Sequence, residues 1–137
     1  MSRSEPPRWQ AFAAVAVGGA IGALARWGVD RLVEAGGRHP VSATLLVNLV
    51  GCFLMGVLVS YVLSHPARHG LWRPFLGVGV LGGFTTFSAF AVDTVVLVRD
   101  GDAAWALAYL LASVAGSLAS VWVGFAVGRT LRRQSPS

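Results

Sequence analysis

Gly82-Gly83-Phe84-Thr85-Thr86-Phe87-Ser88-Ala89-Phe90 sits inside an uncharged apolar segment that runs from Phe75 to Val92. Adjacent glycines and a Thr-Thr pair are poor helix formers. A bilayer interior offers no water to backbone groups freed from a helix. A broken helix is tolerated there only where protein covers it or where it lines a polar cavity. The stretch therefore predicts a weak point at membrane depth, and carbonyls released from helical bonding there are candidate ion ligands. The rest of the chain reads as packing around this break.

Composition supports a membrane setting. Of 137 residues, 55% are hydrophobic and 12% charged, and mean hydropathy is +0.65. That excludes an ordinary soluble domain and points to a single-domain, all-α membrane protein. All eleven basic residues are Arg, and the net charge is +5. They lie near the ends of apolar runs, which reads as anchoring at lipid headgroups rather than nucleic-acid binding. Cys52 is the one cysteine, so no intramolecular disulfide can form.

Four spans are expected, at about 9–33, 41–64, 74–98 and 103–128, joined by short loops. The tail from Met1 to Arg8 is polar, with Pro6-Pro7. The first run, Trp9 to Ala25, is short for a span, and it can continue through Arg26 to Val33 if Arg26 faces protein or water. A rival reading takes Arg3, Arg8 and Ala23-Leu24-Ala25 as a signal peptide with its cleavage site. Three glycines interrupt that run, and a multi-span protein needs no cleavable signal, so the membrane helix is preferred. Gly18 and Gly22 form a Gly-x-x-x-Gly pair suited to close helix approach.

Ala35 to Pro40 is a loop by its Gly and Pro content. Asn48 lies deep in the second span, where an unbonded amide is costly. It is either interhelical glue or a donor facing a conduction path. His65 and His69 flank a Pro-containing loop and read as solvated residues, not metal ligands. Asp93 is the one acid of the third span; it is either functional or a residue near the membrane edge that caps or pairs there. Arg99 to Asp102 is a tight turn. In the fourth span Ala112, Gly116, Ser120, Gly124 and Gly128 form a small-residue stripe. Tyr109, Ser113 and Ser117 run beside it, either as a polar track or as hydroxyls bonded back to their own helix. No carboxylate pair, Ser/His/Asp set, Cys/His metal spacing or phosphate loop is present, so an enzyme has no support.

Three blocks carry a resemblance. Gly18-Gly19-Ala20-Ile21-Gly22-Ala23-Leu24-Ala25-Arg26-Trp27, then Thr44-Leu45-Leu46-Val47-Asn48-Leu49-Val50-Gly51, then Gly82 to Phe90 resemble, in order and spacing, the CrcB/Fluc fluoride channels. The likeness covers nearly the whole chain, and the third block is its most specific part. It implies an antiparallel, dual-topology dimer with two narrow pores that pass fluoride passively across a prokaryotic plasma (inner) membrane and relieve fluoride toxicity. It also implies a structural sodium ion at the dimer centre, held by the backbone carbonyls of Gly82 and Thr85 from both subunits. By motif position Asn48, Phe87 and Phe90 match pore residues. Tyr109, Ser113 and Ser117 match the fourth-helix polar track. Arg26 matches a vestibule arginine, and Thr44 and Ser88 fall on the same path.

These residue types suit fluoride, a small and strongly hydrated anion whose water must be replaced by donors. The Asn48 amide and the hydroxyls donate, and phenyl edges carry partial positive charge. Phe87 and Phe90, three apart, share a helix face where the helix resumes. Arginine counts on the two sides, seven against four, favour both termini in the cytoplasm. That mild bias leaves pairing with an oppositely oriented homologue as the alternative to a homodimer. The alternative function is a small four-span proton-coupled exporter of organic cations, for which Asp93 would be the exchanging acid. A third reading is an accessory membrane subunit with no transport of its own.

Overall fold

The computed structural model describes residues 7–37, 40–64 and 70–133. Helix α1 spans Arg8–Ala35 and α2 spans Pro40–Ser64. The third span opens with a π-wound segment, π1, at Pro74–Leu81, followed by a single helical turn, α3, at Gly82–Phe84. The span resumes as α4, Ser88–Arg99, and α5 runs from Ala103–Arg133. Among the described residues, four helical stretches are long and apolar enough to cross a membrane: Arg8–Ala35, Val41–Leu63, Pro74–Arg99 and Ala103–Leu131. The fold is all-helical with its third span broken. His65 and His69, along with Arg3, Arg38 and Arg68 of the arginine count, lie outside the described residues.

Two tight helix pairs build the protomer: α1 against π1 and α3, and α2 against α5. Small residues make both possible, because helices in lipid gain stability from close packing rather than from hydrophobic burial. Gly18 and Gly22 are the buried residues of α1. A Cβ on Gly22 would strike the Val80 carbonyl and come within 2.8 Å of the Phe84 nitrogen. One on Gly79 would come within 2.9 Å of the Gly18 Cα. On the other pair, the expected stripe of α5 faces α2: a Cβ on Gly124 would strike the Phe53 carbonyl, and one on Gly128 would sit 2.6 Å from Ser60 Oγ.

The turn after α4 shows how the chain reverses. Gly101 adopts φ 89°, a left-handed conformation that favours glycine. Its amide donates to the Val98 carbonyl at 3.2 Å, and the Asp102 amide to the Leu97 carbonyl at 3.0 Å. This is a Schellman closure, which satisfies the last carbonyls of a helix. The Asp102 carbonyl then accepts the first bond of α5, from the Ala106 amide at 2.9 Å.

The break falls just beyond the glycines. Gly82 and Gly83 remain helical, and the chain leaves the helix at Thr85, whose φ and ψ are −76° and 155°. The glycine pair instead serves packing, since a Cβ on Gly83 would come within 3.0 Å of the Gly19 Cα.

Candidate functional site

The interruption at 85–87 is held by side chains. Thr85 remains tied to the first half-helix, its amide and its hydroxyl both donating to the Leu81 carbonyl, at 3.0 and 2.9 Å. At Thr86 the tie passes to α2. Asn48 Nδ2 donates to the Thr86 carbonyl at 2.9 Å, and the Thr86 amide donates to Asn48 Oδ1 at 2.8 Å. One carboxamide thus satisfies both polar groups of one residue, much as a neighbouring strand would. Thr86 in turn starts the second half-helix. Its Oγ1 accepts from the Ala89 amide at 3.2 Å, so it satisfies a first-turn amide of α4 from one residue outside the N-cap position, Phe87. The Ser88 hydroxyl lies 3.2 Å from the same oxygen.

These bonds divert two donors. Helical bonding would send the Thr86 amide to the Gly82 carbonyl and the Ala89 amide to the Thr85 carbonyl. Asn48 takes the first donor and Thr86 Oγ1 takes the second. Gly82 and Thr85, the two carbonyls expected to face a cation, are therefore among the carbonyls at the break that lose their helical partners; Gly83 is another. Arg26 Nε reaches the intervening Gly83 carbonyl in a long 3.4 Å bond. Carbonyls of an unwound helix are ligands of the type that coordinate sodium in membrane proteins, so the donor set fits a sodium ion.

Two cavities meet at the break. One, of about 370 Å³, is lined by Asn48, Cys52, Phe87, Phe90, Ser113 and Ser117 among others. The second, of about 210 Å³, is lined by Arg26, Asp30, Glu34, Thr44 and Asp93. Thr86 lines both. Aromatic rings run between α4 and α5: Phe87 and Phe90 have centroids 5.6 Å apart, and Phe90 and Tyr109 5.5 Å. The Tyr109 hydroxyl donates to Asp93 Oδ2 at 3.2 Å. Thr44, Tyr109 and Ser113 are buried. The Ser113 hydroxyl, beside the larger cavity, makes no hydrogen bond among the described residues.

The sequence-chosen residues thus gather in one region from four elements. Asn48, Phe87, Phe90, Ser113 and Ser117 share the larger cavity. Arg26 and Thr44 line the smaller one. Tyr109 joins the aromatic run and Ser88 lies beside Thr86 Oγ1. Sequence reading did not single out Thr86, which bonds Asn48, accepts from the first turn of α4 and borders both cavities. Its signal was available: a threonine hydroxyl just ahead of a resumed helix can accept from the amides of the first turn. Asp93 is paired: it is the acceptor for Tyr109.

A family model described as CrcB-like protein, Camphor Resistance (CrcB), matches residues 13–125. The chain belongs to the CrcB family. Among its relatives in that family is the fluoride-specific ion channel FluC of Paracoccus denitrificans (strain Pd 1222), 49% identical over 122 residues, covering 88% of this chain and 95% of the relative. A fluoride-specific ion channel FluC of Cereibacter sphaeroides is 50% identical over 117 residues, covering 84% and 91%. Fluoride-specific ion channel FluC 2 of Thermobifida fusca (strain YX) is 48% identical over 116 residues, covering 82% and 84%. The CrcB match spans α1 through most of α5, so it includes the break, both cavities and every residue placed around them.

Proposed function

We propose that this CrcB family member is a subunit of a fluoride-selective channel that lets F⁻ leave the cell passively across the prokaryotic plasma (inner) membrane, relieving fluoride toxicity. The relatives' names support the ion. The observation that carries the mechanism is the double bond of Asn48 to Thr86, which holds the break open beside a cavity lined by hydroxyls and phenyl rings.

Fluoride gives up water only if the wall supplies donors. Asn48 has two amide hydrogens and spends one on the Thr86 carbonyl, which leaves one for an anion. The Ser113 and Ser117 hydroxyls add more donors along α5. Phe87 and Phe90 offer weakly positive ring edges that carry no full charge to trap the ion. Passage requires binding firm enough to admit fluoride and weak enough to release it. Arg26, in the second cavity, supplies the cation at its approach. No chemical step is involved, so the protein is not an enzyme.

The working unit in this proposal is an antiparallel, dual-topology homodimer with two pores, and the place of the break supports a partner over that face. Gly82 and Ser88 are on the protomer surface, and Phe87 is 79% exposed. Irregular backbone does not face lipid. A second copy over this face supplies the cover, and two-fold symmetry turns two released carbonyls into four around a structural sodium ion. That ion supplies a fixed charge that holds the subunits together; Gly82 and Thr85 would ligate it.

The test is fluoride release from liposomes that contain only this polypeptide. Passive efflux that survives Asp93→Asn supports the channel. Proton-coupled export of a lipophilic cation, abolished by Asp93→Asn, would support the exporter instead. Absence of both fluxes would support the accessory role.

A further inference from the structure

We infer that Asn48 and Thr86 are positioning residues for the central cation, keeping the Gly82 and Thr85 carbonyls free of their own helix. The inference rests on the sodium reading above and adds residues that do not touch the ion.

A backbone carbonyl in a helix already has a donor four residues on. A cation that uses such an oxygen competes with that donor and needs the chain to open. Here both competing donors are occupied by side chains. The Thr86 amide is 2.8 Å from Asn48 Oδ1, and the Ala89 amide is 3.2 Å from Thr86 Oγ1. Thr86 is held at its other polar group by Asn48 Nδ2 at 2.9 Å, so the three bonds form one connected unit. Thr85, which carries the second of these carbonyls, keeps its own amide and hydroxyl on the Leu81 carbonyl and gives neither to Gly82. Remove either side chain and a donor returns toward its helical acceptor.

The consequence is a change in apparent sodium affinity. A site competent only part of the time binds more weakly by that fraction. If a helix freed of one clamp bond is open about a tenth of the time, the half-saturating sodium concentration rises about tenfold. The same amide would thus serve both the pore and the cation centre, tying fluoride conduction to cation occupancy through Thr86.

The experiment follows thermal unfolding of the purified, full-length protein against NaCl, with N-methyl-D-glucamine chloride holding ionic strength constant. A ligand that binds only the folded state raises the midpoint by mass action. Wild type is expected to respond to sodium, and Thr86→Ser, which keeps the hydroxyl, to respond at concentrations within about twofold of wild type. Thr86→Val and Asn48→Leu, which keep shape and lose the acceptor, should each need about ten times more sodium. Either variant decides the matter if the other does not fold. An unchanged sodium response in the variant, with wild type responsive, overturns the inference and leaves the sodium site standing. A wild type indifferent to sodium overturns both.

Discussion

Asn48→Leu removes two bonds and leaves two partners stranded. The carbonyl and amide of Thr86, now 2.9 and 2.8 Å from the carboxamide, would face an isobutyl group inside the protein. Each buried polar group left unsatisfied costs about 1–3 kcal/mol. Partial return of the amide toward Gly82 recovers some of that, and hydrogen bonds in membrane proteins measure at the weak end, so we expect a loss of about 2 kcal/mol. For a chain of this size that lowers the thermal midpoint by roughly 5–10 °C. Asn48→Asp divides the effects. It keeps an acceptor for the Thr86 amide and loses the donor to the Thr86 carbonyl, so its midpoint should fall between wild type and Asn48→Leu. Its charge acts on the pore. A carboxylate about 4 Å from a passing fluoride adds about 4 kcal/mol of repulsion at an effective dielectric near 20, or about a thousandfold in rate. Purified variants followed by thermal unfolding, and the same variants in liposomes followed with a fluoride electrode, measure the two effects separately. An Asn48→Leu protein with wild-type stability would refute the clamp. An Asn48→Asp protein that conducts within a few-fold of wild type would refute the place of Asn48 in the fluoride path.

Three further outcomes are expected. Phe87→Ile should cut fluoride efflux and leave the dimer intact on size exclusion, because it removes a ring edge; unchanged efflux would remove Phe87 from the pore. Thr85→Ser should change dimer stability little, since Ser keeps the hydroxyl bond to Leu81 and the backbone carbonyl assigned to the cation; a dissociated dimer would contradict that assignment. Asp30→Asn should raise efflux about twofold at low ionic strength and not at high salt, because the second cavity sets one arginine among three carboxylates, and Glu34 is already paired with Arg31 at 3.1 Å; a salt-independent or absent effect would count against anion entry through that cavity.

Much of the fold was legible because a bilayer narrows the choices. Uncharged runs of sufficient length give spans, and small residues four apart give contacts, as Gly18 with Gly22 and Gly124 with Gly128 show. The break was legible in composition and less so in place. Both glycines and threonines read as weak helix, yet the glycines pack in helical conformation against α1 while the threonines part the chain. Propensity does not separate these uses; only the neighbour across the contact does. Asn48 was recognisable as a polar group that needed a partner, but not as the partner of one particular peptide 38 residues away. Thr86 escaped notice for the same reason. Its importance lies in which donors it occupies, and that depends on where two helices meet. Nothing in the sequence signalled the π-wound start of the third span, since Pro74 and the glycines after it are as compatible with an ordinary α-helical turn.

The claim on which the account turns is that inverted copies meet at this break, and a labelling experiment addresses it directly. Asp100 is exposed in the turn between α4 and α5. With Cys52 replaced by Ser, Asp100→Cys gives each copy a single thiol at that turn. A membrane-impermeant thiol reagent applied to intact cells should reach about half of the copies, as an antiparallel pair requires, and the remainder should react once the membrane is opened. Labelling of all copies, or of none, before opening would mean that every subunit points the same way, and the inverted pair would be contradicted.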